Sequence, residues 1–295
     1  PYMRGRMNAG PSYAKQVEIG EVMTGGAVSQ VIASKNPAFA EGYIIFGYTG
    51  WQDYALSDGK GLRKLDPAKA PISTALGILG MPGMTAYTGF LNIGQPKDGE
   101  TLVVAAASGP VGSAVGQIAK IKGCRAIGVA GTDEKCAFVT DELGFDACFN
   151  HRQPEFAEKL ADVCPDGVDI YYENVGGAVF EAVLPLFNDF ARMPVCGLVA
   201  HYNATELPPG PNKTPLLMRS VLTKRLHIQG FIVWDFAAQE QDFQNDMSGW
   251  IRDGRVKYRE DLVDGLERAP SALIGLLRGE NFGKLIVRVA PDPTQ

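Results

Sequence analysis

Cysteine is sparse and shows no pairing pattern. The five residues Cys124, Cys136, Cys148, Cys164 and Cys196 are an odd set without C-x-x-C spacing. That argues against a disulfide framework and a structural zinc lobe, and fits a reducing cytoplasm. Histidine is scarcer still. His151, His201 and His227 show no ligand spacing, and residues 1–71 hold neither Cys nor His, so no metal site is expected. No apolar run approaches the ~18 residues that a membrane span needs. Positive charge is not in excess: 28 Lys and Arg against 33 Asp and Glu give a net charge of −5. No face for nucleic acid is advertised. There is no G-x-S-x-G elbow, signal-peptide pattern, internal repeat or low-complexity segment. What is present is ordinary for a globular protein. The 295 residues are 45% hydrophobic and 21% charged, enough for one large domain or two of common size.

The organising stretch is Thr101–Lys122, TLVVAAASGPVGSAVGQIAKIK. An apolar run, Thr101–Ala107, enters the small-residue turn Ser108-Gly109-Pro110-Val111-Gly112. The turn opens an Ala/Gly-lined helix through Gly116, Ile118 and Ala119. A strand, turn and helix of this kind begin a dinucleotide-binding unit. Gly109 would let the main chain approach a pyrophosphate, Gly112 and Gly116 would let the helix lie close on the sheet, and helix N–H groups would hold the phosphates. Ala107 occupies the first position of G-x-G-x-x-G. Small-residue helix starts also arise from packing alone, so spacing by itself leaves both readings open.

The flanks favour the nucleotide. Residues 1–71 read as β-rich, with apolar segments Ala27–Ile32, Tyr43–Phe46 and Trp51–Leu56 between Gly, Asn, Pro and Asp. Ile72–Leu79 and Thr85–Leu91 read as helices broken at Gly80-Met81-Pro82-Gly83. Strand and helix then alternate. Strands are expected at Arg125–Ala130, Ala147–Phe149, Val168–Glu173, Arg192–Cys196 and Ile228–Val233. Helices are expected at Asp133–Leu143, Pro154–Val163 and Ala178–Leu184. This alternation predicts right-handed crossovers, a parallel doubly wound sheet, and ligand sites beyond the strands' carboxyl ends. Leu207–Pro215 reads as a proline-rich surface loop, Phe243–Ile251 as an amphipathic helix, and Leu285–Val289 as a last strand. The expected architecture is α/β: a Rossmann domain at 81–253 inserted in a β-rich domain built from 1–80 and 254–295.

The second strand ends at Gly131-Thr132 with no carboxylate at its tip. Asp133 and Glu134 fall in the first helical turn, where the dipole favours acids anyway. Lys135 follows, and His151 and Arg152 come after the third strand. A Thr132 hydroxyl and nearby cations suit a 2′-phosphate, so NADP is expected over NAD. The alternative is that Lys135 and Arg152 are solvated surface charge.

Several stretches are more specific than any Rossmann pattern: Pro1–Met7 (PYMRGRM), Ala106–Gly112 (AASGPVG), Ala130–Lys135 (AGTDEK), Tyr171–Gly177 (YYENVGG), Cys196–Tyr202 (CGLVAHY), Leu207–Pro211 (LPPGP) and Gly279–Lys284 (GENFGK). On these the chain resembles the zinc-independent medium-chain dehydrogenase/reductases. Within them it is similar to the leukotriene B4 12-hydroxydehydrogenase/prostaglandin reductase group, which includes plant alkenal double-bond reductases and bacterial NADPH-dependent curcumin reductases. The resemblance implies that the β-rich domain is GroES-like, and that further early strands precede Pro1 in full members.

It also implies roles. Gly109, Pro110, Val111 and Gly112 would cradle the pyrophosphate of NADP. Thr132, Lys135 and His151 would flank the 2′-phosphate, although relatives often carry Tyr at the last position. Asn174, the loop Cys196, Gly197, Leu198, Val199, Ala200, His201 and Tyr202, then Phe231, Ile232, Val233 and Asn281 would line the cofactor towards the nicotinamide. Tyr13 and Tyr2 would be hydrogen-bond donors to a substrate carbonyl. Some relatives place a further tyrosine after the Phe231–Val233 strand, where this chain has Trp234-Asp235-Phe236.

The activity implied is NADPH-dependent reduction of the carbon–carbon double bond of enones and enals, including curcumin-like substrates, in a cytoplasmic homodimer. The alternatives are an NADPH quinone reductase and a non-catalytic NADPH-binding protein.

Overall fold

Apolar segments in the first quarter of the chain alternate with turn residues, and only some of them pair. The computed structural model describes residues 1–8, 12–206 and 210–294, so Leu207, Pro208 and Pro209 of the proline-rich loop lie outside the described residues. Two units are distinguished, Pro1–Met81 with Glu260–Gln295, and Pro82–Arg259.

In the first unit, β1 (Ala27–Gln30) pairs antiparallel with β2 (Ile44–Gly47), which pairs antiparallel with the two-residue β3 (Arg63–Lys64). The strand expected at Trp51–Leu56 does not form. Gly50 N–H bonds to Gly25 O and Trp51 N–H to Met23 O, so this stretch is tied to the segment before β1 and bends there. Ile72–Leu76 is a 3-10 helix. The expected break at Gly80–Gly83 is instead a helix start, α1 (Met81–Gly89), with Pro82 in its first turn, where a missing N–H costs nothing. Gly80 precedes it because a Cβ there would lie 2.0 Å from Ala75 O. The helix widens into a π-turn over Phe90–Gly94 and ends at Gln95 in the left-handed region, with φ 45°.

The second unit is an alternating α/β layer structure. Its elements are β4 (Thr101–Ala105), α2 (Pro110–Ile121), β5 (Arg125–Ala130), α3 (Asp133–Asp141), β6 (Ala147–Asn150), α4 (Phe156–Val163), β7 (Val168–Tyr172), α5 (Gly177–Val183), β8 (Phe187–Val195), α6 (Thr214–Lys224), β9 (His227–Gly230) and α7 (Glu240–Arg252). The six strands order as β6-β5-β4-β7-β8-β9, all parallel. This is the doubly wound arrangement, and its strand order reverses between β4 and β7. Every residue of β4 is buried, as a strand covered on both faces by helices must be. Arg192 on β8 clamps the sheet's far end. Its guanidinium donates to Gly94 O at 2.8 Å, to Glu100 Oε1 at 2.9 Å and to Gln95 O at 3.2 Å.

Three boundaries differ from the sequence expectation. β4 ends two residues early, because Ala106 takes a positive φ of 54° and turns the chain. β8 begins at Phe187, five residues before the expected Arg192. β9 stops at Gly230, because Phe231 drops its ring into the core, where a Cβ on Gly89 would meet it at 2.3 Å. α6 went unanticipated behind the proline-rich loop.

Back in the first unit, β10 (Glu260–Asp264) pairs parallel with β11 (Lys284–Arg288), and α8 (Ala269–Leu277) connects them. Among the described residues, no helix is long and apolar enough to cross a membrane.

Candidate active site

The turn from β4 into α2 places its main chain at the carboxyl edge of the sheet. Gly109 N–H bonds to Ala106 O at 2.9 Å, and Ser113 N–H bonds to Gly109 O at 2.9 Å, starting the helix. The first turn of α2 therefore has no carbonyl ahead of it for the Val111 and Gly112 N–H groups, and no side chain caps it. Pro110 sits in that turn without an N–H to satisfy. A Cβ on Gly112 would lie 2.4 Å from Ala106 O, so only glycine lets the helix start this close to the strand end. Gly116 serves a different neighbour from the one expected. The Phe145 ring occupies the space its side chain would need, at 1.8 Å.

At the tip of β5, Thr132 caps α3, its hydroxyl accepting from Lys135 N–H at 3.2 Å. Asp133 is turned away from the tip. Asn150 Nδ2 donates to its Oδ1 at 2.8 Å, and Gln153 Nε2 lies 3.5 Å from its Oδ2. His151 and Arg152 face Gly131: a Cβ there would be 3.6 Å from His151 Nε2 and 3.8 Å from Arg152 Cζ. Burial and then the neighbouring Arg152 push the His151 imidazole below its ordinary value, favouring the neutral ring. Lys135 in the same first turn is half-buried. The β5 tip thus brings the Thr132 hydroxyl, the Arg152 guanidinium and the His151 imidazole together at the start of α3, whose first turn carries Lys135 and whose Asp133 is bonded to Asn150.

β7 ends against the next loop. Asn174 Nδ2 donates to Ala105 O at 2.9 Å, tying the two central strand ends together. Before it, the fully buried Glu173 accepts from Val175 N–H at 2.6 Å, Gly176 N–H at 2.8 Å and Tyr171 OH at 3.0 Å. Burial raises its carboxyl while those bonds hold it down. The loop Cys196–Tyr202 is stapled over this turn by Val199 N–H to Asn174 O and Ala200 N–H to Val175 O. His201 lies against Gly176, where a Cβ would be 3.1 Å from its Nε2, and Tyr202 OH lies 3.0 Å from a Cβ on Gly197. Leu198 is exposed. Cys196 shares a hydrogen bond with Tyr172, and burial pushes its thiol up to about 12, so it stays protonated.

Phe231 and Val233 are buried, and the Phe231 ring packs edge-on against Tyr172 at 6.4 Å. Ile232 N–H is bound by Asp235 Oδ2 at 2.9 Å, and Phe236 packs on Phe231 at 6.1 Å, which leaves Trp234 exposed.

In the first unit, Asn281 Nδ2 donates to Gly283 O at 2.8 Å. Tyr2 and Tyr13 share one cation, with Arg6 Cζ 5.8 Å from the Tyr2 ring centre and 5.1 Å from that of Tyr13. Sequence reasoning missed Arg6 and Tyr48 as parts of this cluster. Tyr48 follows β2, interacts electrostatically with Tyr2 and Arg6, and is pushed by desolvation up to about 12. Desolvation likewise raises Tyr2, against the attraction of Arg6. Nothing in the letters marks Tyr48, which stands more than forty residues from the chain start it adjoins. Among the described residues, no group of three or more His, Cys, Asp or Glu could hold a metal ion.

Residues 1–65 match the family described as N-terminal domain of oxidoreductase, and residues 110–252 match that described as zinc-binding dehydrogenase. The chain is 58% identical over 293 residues to the NADPH-dependent curcumin reductase of Escherichia coli, covering 99% of this chain and 85% of that protein. It is 40% identical over 295 residues to an NADP(+)-dependent 2-alkenal reductase of Nicotiana tabacum, covering 99% and 84%. The crystal structure of CurA from Vibrio vulnificus in complex with NADPH superposes with a TM-score of 0.95 at 55% identity, covering 99% of this chain and 87% of that one.

Proposed function

The chain belongs to the zinc-independent medium-chain dehydrogenase/reductases, in the prostaglandin reductase and alkenal reductase group, and from that premise we propose that it reduces the carbon–carbon double bond of α,β-unsaturated aldehydes and ketones with NADPH. The observation that carries the cofactor choice is the β5 tip. There His151 and Arg152 lie beside Gly131, Lys135 follows in the first turn of α3, and Asp133 is held by Asn150. An acid free to accept from a ribose 2′-OH is the mark of NAD, and here it is engaged.

The residues fit the cofactor. The uncapped first turn of α2, with Gly109, Pro110, Val111 and Gly112, offers N–H groups and a helix dipole to a diphosphate. Thr132, Lys135, His151 and Arg152 hold the 2′-phosphate. Asn174, the Cys196–Tyr202 loop and the main chain of Phe231–Val233 would line the nicotinamide half. When bound, NADPH supplies a hydride for the β-carbon of the substrate.

The protein's own work is positioning and charge stabilisation. As negative charge develops on the carbonyl oxygen, hydroxyl donors in a dry site stabilise it. The resemblance gives that role to Tyr2 and Tyr13; Tyr2 is half-buried, whereas Tyr13 is 64% exposed. A tyrosine hydroxyl is protonated at neutral pH, as a donor must be, and desolvation moves Tyr2 further from ionisation. Orientation of the two reactants contributes much of the remaining rate.

The open edge of the sheet supports a homodimer. β9 is exposed along its whole length, and Ile228 with Leu216, Met218 and Leu222 of α6 presents apolar side chains beside it. A second copy pairing along β9 would cover both. The cytoplasm is the compartment that the free cysteines suit.

The test follows loss of reduced-nicotinamide absorbance with NADPH, then NADH, against 2-alkenals, an aryl enone and a simple quinone. NADPH-specific reduction of the enones to saturated carbonyls is expected. Turnover of the quinone alone would show a quinone reductase, and tight NADPH binding with no turnover would show a binding protein.

A further inference from the structure

Two of the five cysteines meet. Cys136 lies in the first turn of α3 and Cys148 on β6, and their thiols share a hydrogen bond. The fold makes room for this contact. Cys148 stands opposite Gly128 on β5, and a Cβ on Gly128 would lie 3.0 Å from the Cys148 sulfur and 3.0 Å from Val139 of α3. A glycine at that register lets the sulfur sit under the helix. Cys136 is nearly buried and Cys148 half-buried.

The pair adjoins the cation cluster on both sides. Cys136 directly follows Lys135, while Cys148 precedes Asn150 and His151 on the same strand end. We propose that Cys136 and Cys148 form a reversible disulfide, a modification site that ties the first turn of α3 to β6 and thereby weakens the hold on the 2′-phosphate. The coupling to NADPH rests on the cofactor reading above; the disulfide does not.

The chemistry balances with hydrogen peroxide as oxidant. The Cys136 thiolate attacks one peroxide oxygen, the O–O bond breaks, and the sulfur becomes a sulfenic acid as hydroxide leaves. The Cys148 thiol then attacks that sulfur, the S–S bond forms, and the hydroxyl leaves as water with the thiol proton. Two thiols are oxidised and one peroxide is reduced to two waters. The hydrogen bond from Cys148 favours the Cys136 thiolate, whereas burial pushes Cys124 up to about 11 and raises Cys164, and Cys196 lies at about 12. Oxidation is thereby directed to this pair. Closure brings the sulfurs to about 2.05 Å, nearer than a hydrogen bond allows, and fixes the first turn of α3 covalently to β6.

The experiment treats the full chain with hydrogen peroxide, alkylates the remaining thiols and maps peptides without reduction. NADPH affinity is titrated by fluorescence before and after. A single linked peptide pair containing Cys136 and Cys148 is expected, with Cys124, Cys164 and Cys196 alkylated. NADPH affinity should fall several-fold and recover with dithiothreitol, while C136S and C148S bind NADPH normally and are unchanged by peroxide. No such link, or a link that leaves NADPH affinity unchanged, overturns the proposal. Reduced protein that fails to bind NADPH overturns the cofactor reading instead, and shows itself before any oxidant is added.

Discussion

Asn150 at the end of β6 donates its side-chain N–H to the Asp133 carboxylate at 2.8 Å, joining the third strand's tip to the first turn of the helix before it. The acid that could accept from a ribose hydroxyl is thereby turned towards β6. His151 and Arg152 are left as the polar and charged groups beside Gly131, with Lys135 in the first turn of α3. One neutral amide thus helps to set the sign of the site.

Lys135→Ala should raise the KM for NADPH roughly tenfold or more, since a hydrogen bond to a charged group is worth about 1.5–3 kcal/mol. The KM for NADH should stay put. Asn150→Ala frees Asp133 and should narrow the preference for NADPH over NADH. Equal losses with both nucleotides in Lys135→Ala would count against the 2′-phosphate assignment.

Tyr2→Phe and Tyr13→Phe remove one hydroxyl each. Loss of a donor to a developing oxyanion costs about 10²-fold in kcat, and NADPH affinity by titration should be unaltered. A variant that keeps full kcat is not a donor.

Gly116→Ala sets two effects against each other. Alanine gains about 1 kcal/mol of helix propensity. The new methyl would meet the Phe145 ring at 1.8 Å, an overlap relieved only by repacking that costs about 1–3 kcal/mol. The overlap should win, lowering the urea midpoint. Phe145→Leu in the same background should recover part of the loss, because the two positions touch.

Arg192→Met leaves Glu100 without its partner where both side chains are largely buried, at 15% and 16% exposed. Breaking such a pair costs about 3–5 kcal/mol. Urea denaturation at neutral pH measures it directly, and a shift below 1 kcal/mol would contradict the clamp.

Burial and Arg152 depress the His151 value in the folded state from the ordinary 6.5. The unfolded chain therefore binds the proton more readily. Stability from this group is complete above 6.5 and is lost as pH falls towards the lower folded value. The difference in stability between wild type and H151Q should decline across that window and level off below it. A difference that stays flat would contradict the shift.

The letters alone determined the strand–turn–helix at Thr101–Lys122, the parallel alternation and the candidate phosphate positions. These follow from local causes: periodicity, small residues at a tight turn, and the dipole of a helix start. Lys135, His151 and Arg152 were also visible as candidates, because they sit one strand end apart in an alternating chain. What Gly116 and Asp133 do was not visible. Both answers depend on side chains from other elements, Phe145 in one case and Asn150 in the other. The early end of β9 came from Phe231 preferring a core slot beside Gly89 to a place on the sheet, and the Tyr2–Arg6–Tyr13–Tyr48 cluster from contacts between residues up to 46 positions apart. Chain order specifies which residues can form an element. Which neighbours they meet is decided only when the packed elements bring distant positions within a few ångströms.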